Sequence, residues 1–193
     1  MKRPELYVSV DTEASGPIPG EYSLLSIGAC IVGNTDKSFY AELKPISMSA
    51  TPSALAVTKF KMDTQLEIGL EPIEALRSFE EWIKNRTAND TLRPVMVGFN
   101  APFDWTYINW YFLKYLQRNI FGICPIDIKS YMMGMCKILW GETTKRKMPK
   151  IFKSNLPHTH NALDDAKEQA EIFENLLKEN NQFNEYISKY DPS

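Results

Sequence analysis

The sequence contains no apolar run long enough to span a bilayer. Its opening MKRPELYVSVD offers too short an apolar segment between Glu5 and Asp11 for a signal peptide. No membrane partner is expected. Its three cysteines, Cys30, Cys124 and Cys136, are odd in number, widely spaced and without a CxxC pair. That argues against a disulfide framework or a cysteine zinc site and fits a reducing, cytoplasmic setting. The formal net charge of −2 carries no overall basic signature of a nucleic-acid binder. No repeat, low-complexity tract or linker divides the chain, so one domain is expected over residues 1–180, with a polar tail at 181–193.

What is present is ordinary in amount but uneven in placement. The 193 residues are 44% apolar, 24% charged and 12% aromatic, which suits one domain with a proper core. Within residues 143–163 stand Lys145, Arg146, Lys147, Lys150 and Lys153 with no acid, leaving 17 basic against 24 acidic residues elsewhere. A basic stretch on an acidic body is a candidate phosphate-binding surface. A solvated loop is the alternative.

Residues 5–16 (ELYVSVDTEASG) read as a strand on which Tyr7, Ser9, Asp11 and Glu13 share one face. Gly16, Pro17, Pro19 and Gly20 break it. Further strands are expected at 23–33 and 38–43, joined by a hairpin turn at 34–37, which gives three antiparallel strands. A short helix is expected from Ser53 and a firm amphipathic one over Pro72–Arg86. A strand at 93–99 follows, then a helix at 102–118 whose Trp105, Ile108, Trp110, Tyr111, Phe112, Leu113 and Leu116 call for burial on nearly every side. Residues 123–128 read as a fifth strand, 130–140 as a Met-rich helix, and 162–178 as a last helix with an alanine-rich apolar stripe. Residues 183–190 leave room for a final turn. The pattern predicts an α/β fold: a mixed sheet of about five strands with helices on both faces.

Three places carry chemistry. Asp11 and Glu13 lie two apart at the end of the first strand and could hold one cation between them. In NAPFD, after the fourth strand, Pro102 suits the first helical turn and Asp104 sits at its positive end. In HNALDD, Asn161 can cap the last helix with Asp164 three residues on, while His160 in the preceding loop is free to swing toward Asp165. His158 competes with His160 for any histidine role. Four carboxylates brought together would raise one another's pKa. Divalent cations relieve that conflict, and oxygen-only ligands suit Mg²⁺ or Mn²⁺. Two such ions about 4 Å apart serve phosphoryl transfer.

D-x-E in DTEASG, N-x-x-x-D in NAPFD and H-x-A-x-x-D in HNALDDA, in that order, resemble the three motifs of the DEDDh 3′→5′ exonucleases. These include polymerase proofreading exonucleases, RNase T and oligoribonuclease. The resemblance spans residues 5 to about 178 and implies an RNase H-like fold. It also implies release of nucleoside monophosphates from single-stranded DNA or RNA 3′ ends with two Mg²⁺ (or Mn²⁺) ions. On this sequence Asp11, Glu13, Asp104 and Asp165 would be the metal ligands, Asp11 bridging both ions, and His160 would deprotonate the attacking water. The sister class with a tyrosine four before the aspartate does not fit, because that position is Asn161. By the same resemblance Ala14, Ser15 and Phe103 lie beside the terminal nucleotide, although Phe103 also suits the core. Two departures stand out. Phe99 precedes Asn100 where relatives often have His, and Ala14 replaces a frequent Thr or Met, so nucleotide selectivity does not carry over.

With that resemblance, Lys145, Arg146 and Lys147 become candidate contacts for the phosphates of an entering strand. Trp105 and Tyr107 could stack on bases or sit in the core. Several relatives are homodimers. Other readings are a non-catalytic or partner-dependent nucleic-acid-binding module on the same fold, or a haloacid dehalogenase-type phosphatase. The phosphatase would need a second Asp where Glu13 stands. The module would normally have lost a carboxylate or the histidine.

Overall fold

Alternate side chains of the first strand, β1 (Glu5–Ala14), enter two different cores, and this places helices on both faces of the sheet. The computed structural model describes residues 3–87, 91–184 and 186. Leu6, Val8 and Val10 pack with Leu76, Phe79 and Ile83 of helix α3 (Pro72–Arg86) and with Tyr107, Ile108, Tyr111 and Phe112 of α4 (Pro102–Leu116). On the other face the last helix, α6 (Ala162–Glu179), lies across β1 and β2 (Leu24–Ile31). Its Phe173, Leu176 and Leu177 join Cys30, Val32 and Val97 there.

β1, β2 and β3 (Asn34–Glu42) are antiparallel, and β4 (Arg93–Gly98) and β5 (Ile126–Asp127) add parallel to β1, giving the order β3-β2-β1-β4-β5. The expected five-stranded mixed sheet is therefore the one observed. In such a sheet the carboxyl ends of β1 and β4 lie side by side, where ligands of open α/β sheets bind.

Several local expectations are corrected. The hairpin turns at Val32 and Gly33, not at 34–37, because Gly33 supplies the positive φ of 84° that a tight turn needs. The fifth strand shrinks to Ile126–Asp127, since Pro125 has no N–H to pair. Helix α5 (Ile128–Cys136) stops short of Trp140 at Lys137, which has φ 55°. The short helix expected from Ser53 is α1 (Pro52–Thr58), and a second, α2 (Met62–Ile68), went unforeseen. α2 buries only Met62 and Gln65, so it has no apolar stripe to read. Gln65 holds it to the sheet by donating to the carbonyls of Leu25 and Leu43.

α4 is not buried all round. A helix layered on one sheet hides one side, so Phe103 and Leu113 stay exposed and Trp105 and Trp110 are half-buried. A groove of about 630 Å³ runs along this outer face beside Lys114 and is lined by no carboxylate. Beyond 180, Phe183 and Tyr186 pack on the α6 core, and the Tyr186 hydroxyl donates to the Val32 carbonyl. The rest of the turn expected at 183–190 lies outside the described residues. No helix among the described residues is long and apolar enough to cross a membrane.

Candidate active site

The end of β1 sets the geometry. Asp11 and Glu13 project from its α6 face, and the pairing with β2 shifts register between Glu13 and Ala14. Such an irregularity re-aims side chains at a strand end. Asp11 lies opposite Gly28 of β2. A Cβ on Gly28 would fall 2.1 Å from the carbonyl carbon of Ala162, so only glycine lets the first turn of α6 settle on the sheet. That contact carries Asp165, 2% exposed, up to Asp11 and Glu13. One donor atom from each of Asp11, Glu13 and Asp165 lies within 4.8 Å of the others.

Asp104 arrives from the first turn of α4, as its sequence position predicts. Its Oδ1 accepts from the Thr12 backbone N–H and from the Thr12 hydroxyl, both at 2.8 Å. The turn before it is tight, with Asn100 at φ 69°, a conformation asparagine tolerates. Asp127 holds that turn by accepting the N–H groups of Asn100 and Ala101, while its other oxygen caps α5 at Ser130.

Asn161 caps α6 by accepting from the N–H groups of Leu163 and Asp164. Asp165 accepts the backbone N–H groups of Thr159 (2.9 Å) and His160 (3.2 Å), so the loop carrying both histidines is folded over this carboxylate. His160 itself has φ 58°. The two rings meet edge to face with centroids 4.6 Å apart. Both rings are exposed; the His158 Nδ1 lies 3.0 Å from Asp165, and one ring nitrogen from each histidine and an Asp165 oxygen all lie within 4.8 Å of one another. Asp11, Glu13, Asp104, Asp165, His158 and His160 all line one open cavity of about 190 Å³.

These carboxyls are electrostatically frustrated. Burial, then the charges of Asp104, Glu13 and Asp165, push Asp11 well above its ordinary range, and the Lys145 ammonium pulls it back in part. Burial, followed by Asp165 and Asp104, raises Glu13 to about 8. Burial raises Asp104 to about 7 against the opposing hydrogen bonds from Thr12. An oxygen-rich cluster that holds protons for want of positive charge fits hard divalent cations.

Gln169 was not foreseen. It is 1% exposed, donates to Asp11 through Nε2 and accepts the Phe99 N–H through Oε1, tying the ends of β1 and β4 to α6. Its spacing of four from Asp165 puts both on one helix face, the only hint in the sequence. Thr12 and Gly28 were equally silent.

The expected substrate contacts divide. Phe103 is 40% exposed and lines the cavity rather than the core. Ala14 is buried in the core with the α3 and α4 side chains, and the Ser15 hydroxyl is committed to the fold, donating to the Ser49 carbonyl and accepting the Ser23 N–H. Lys145 pairs with Glu168 at 2.6 Å, Lys147 donates to the Gly141 carbonyl, and Arg146 is exposed. Tyr107 belongs to the core, its hydroxyl donating to Gly16.

A family model described as "3'-5' exoribonuclease Rv2179c-like domain" matches residues 6–177. The 3′-5′ DNA exonuclease Cap18 of Escherichia coli is 46% identical over 169 residues, covering 88% of this chain and 90% of that protein. Among solved structures, the nuclease domain of 3′hExo, a DEDDh family member bound to rAMP, superposes with a TM-score of 0.73 at 15% identity. That match covers 93% of this chain and 94% of the other. E. coli Exonuclease I in complex with a dT13 oligonucleotide gives 0.69 at 14% identity, covering 90% of this chain and 41% of that one.

Proposed function

The chain belongs to the 3′-5′ exoribonuclease Rv2179c-like family, whose model spans residues 6–177, and from that membership, with its DEDDh-like motifs and fold, we propose that it removes nucleoside monophosphates from single-stranded 3′ ends with divalent cations held by Asp11, Glu13, Asp104 and Asp165. The observation that carries this reading is the convergence of those four carboxylates, from β1, α4 and α6, on one open cavity with two histidines at its rim. The cations, Mg²⁺ or Mn²⁺, supply an activated water and charge stabilisation at the leaving oxygen.

The chain's own groups do the rest. His160 takes the proton of the attacking water, its imidazole exposed at the cavity rim. Thr12 orients Asp104, and Gln169 orients Asp11. Phe103 offers a flat apolar surface to the terminal base. Arg146, exposed on the basic loop, faces the phosphates without reading sequence. DNA is the favoured polymer, because the relative at 46% identity is a DNA exonuclease, although the family model takes its description from an exoribonuclease.

The test is a time course on 5′-labelled single-stranded DNA and RNA of matched sequence, with Mg²⁺, Mn²⁺ or EDTA. The expected result is a metal-dependent ladder shortening from the 3′ end, faster on DNA and absent for Asp11→Ala/Glu13→Ala. That variant removes repulsion and should stay folded. A folded, metal-loaded protein that cleaves neither polymer overturns the reading, and a faster RNA ladder reverses the choice of sugar.

A further inference from the structure

The loop between α5 and α6 is laced along one stripe of α6. Asn175 donates to the carbonyls of Phe152 and Lys153. Glu171 accepts from the Ser154 hydroxyl and the Asn155 N–H. Asp165 accepts from Thr159 and His160. As the chain runs from 152 to 160 its partners step back up the helix, at positions three and four apart that share a face. Glu168 sits in this ladder between Glu171 and Asp165 and does something the others do not. Its Oε2 meets Lys145, on the outgoing leg of the loop, at 2.6 Å, and His158, on the returning leg, at 3.0 Å.

We infer that Glu168 is a positioning residue, clamping both legs of this loop through Lys145 and His158 and so holding the 158–160 segment, with His160, over Asp165. The kinetic consequence rests on the exonuclease reading, whereas the clamp does not. The pair is no solvated surface bridge, because the side chains are 27% and 10% exposed. Removing Lys145 would leave the largely buried Glu168 carboxylate without its ammonium partner. The same contact takes Lys145 out of the set of free phosphate cations. Its ammonium is bound to Glu168, lies 3.2 Å from His158 and stands over the Phe99 ring. Glu168 is also not among the acids clustered at the end of β1, and its Oε2 is taken by that ammonium and by His158.

Three variants test this: Lys145→Met, Glu168→Gln and the two combined, with the exchange Lys145→Glu/Glu168→Lys as a rescue. A misplacement on the ångström scale costs roughly 10²-fold. Each single variant should therefore lower kcat by roughly 10- to 100-fold, with KM nearly unchanged. The double should fall no further than the worse single, and the exchange should recover part of the loss of Lys145→Glu alone. Amide hydrogen exchange across 143–160 in the metal-free protein should quicken in both singles and no further in the double, which decides the clamp even if no strand is cleaved.

Higher KM and weaker salt dependence for Lys145→Met, with tighter binding for Glu168→Gln, would make Lys145 a phosphate contact and overturn the inference. Loss of Mn²⁺ binding by Glu168→Gln, measured by calorimetry, would make Glu168 a ligand and overturn it too. So would unchanged kcat and unchanged exchange in both singles.

Discussion

Gln169 shows how much of a site can rest on a neutral side chain. Both ends of its amide are engaged, the nitrogen on Asp11 and the oxygen on the Phe99 N–H, and it is almost completely buried. Gln169→Leu keeps the volume but strands the Phe99 N–H and withdraws the donor from a carboxylate already pushed up by burial and its neighbours. A buried polar group left without a partner costs about 1–3 kcal/mol. Thermal unfolding of the variant should show a loss of that order. Its exonuclease rate should fall too, with part of the loss recovered at high Mn²⁺, because cation binding reorients Asp11. A variant as stable and as active as the parent would remove Gln169 from the account. Thr12 has the same standing toward Asp104, but its backbone N–H would survive any substitution except proline.

At the level of elements, the sequence was most legible where hydrophobic period and charged residues coincide. Pro72–Arg86 is legible to the residue, and α4 and α6 nearly so, because α3 and α6 have a helical period, α4 a long apolar run, and each a proline or asparagine at its start. The carboxylates were legible because they stand at the ends of elements, and four acids there need a reason. What stayed hidden was contact between elements. Nothing in SLLSIGACIV says that Gly28 faces the backbone of Ala162, 2.1 Å from where its Cβ would be. Backbone cannot swing aside as a side chain can, so Gly28→Ala must push the first turn of α6 off the sheet, and Asp165 with it. Overpacking of this kind costs about 1–3 kcal/mol, and an ångström of displacement costs roughly 10²-fold in rate. Activity should therefore fall far more steeply than stability. Gly134→Ala, on α5 with nothing within 4 Å, is the matched control and should leave the rate unchanged. Equal behaviour of the two variants in a kcat and Tm comparison would sink the close-approach argument.

For the whole molecule the carboxylate cluster is a liability that varies with pH. Asp11, Glu13 and Asp104 all have folded-state pKa values above their ordinary ones, with Asp104 at about 7 and Glu13 at about 8. A carboxyl raised in this way favours the fold when protonated. Its contribution is complete below the unfolded value near 4 and is lost as pH rises through the folded value. In EDTA the protein should therefore melt at progressively lower temperature between about pH 4 and pH 8 on account of these groups. Divalent cations replace the departing protons, so their stabilisation should grow over the same interval. A ligand present at 100 times its Kd adds about 2.7 kcal/mol, roughly 5–10 °C for a chain of this size. Melting curves from pH 5 to 9 in EDTA, Mg²⁺ and Mn²⁺ read this directly, with Asp11→Ala/Glu13→Ala as the reference in which both the pH slope and the cation effect should shrink. Parallel curves, with the same cation shift at pH 5 as at pH 8, would mean that the acids at the end of β1 are not where the cation binds. The four-carboxylate assignment would then fall even if the enzyme proved to be a nuclease.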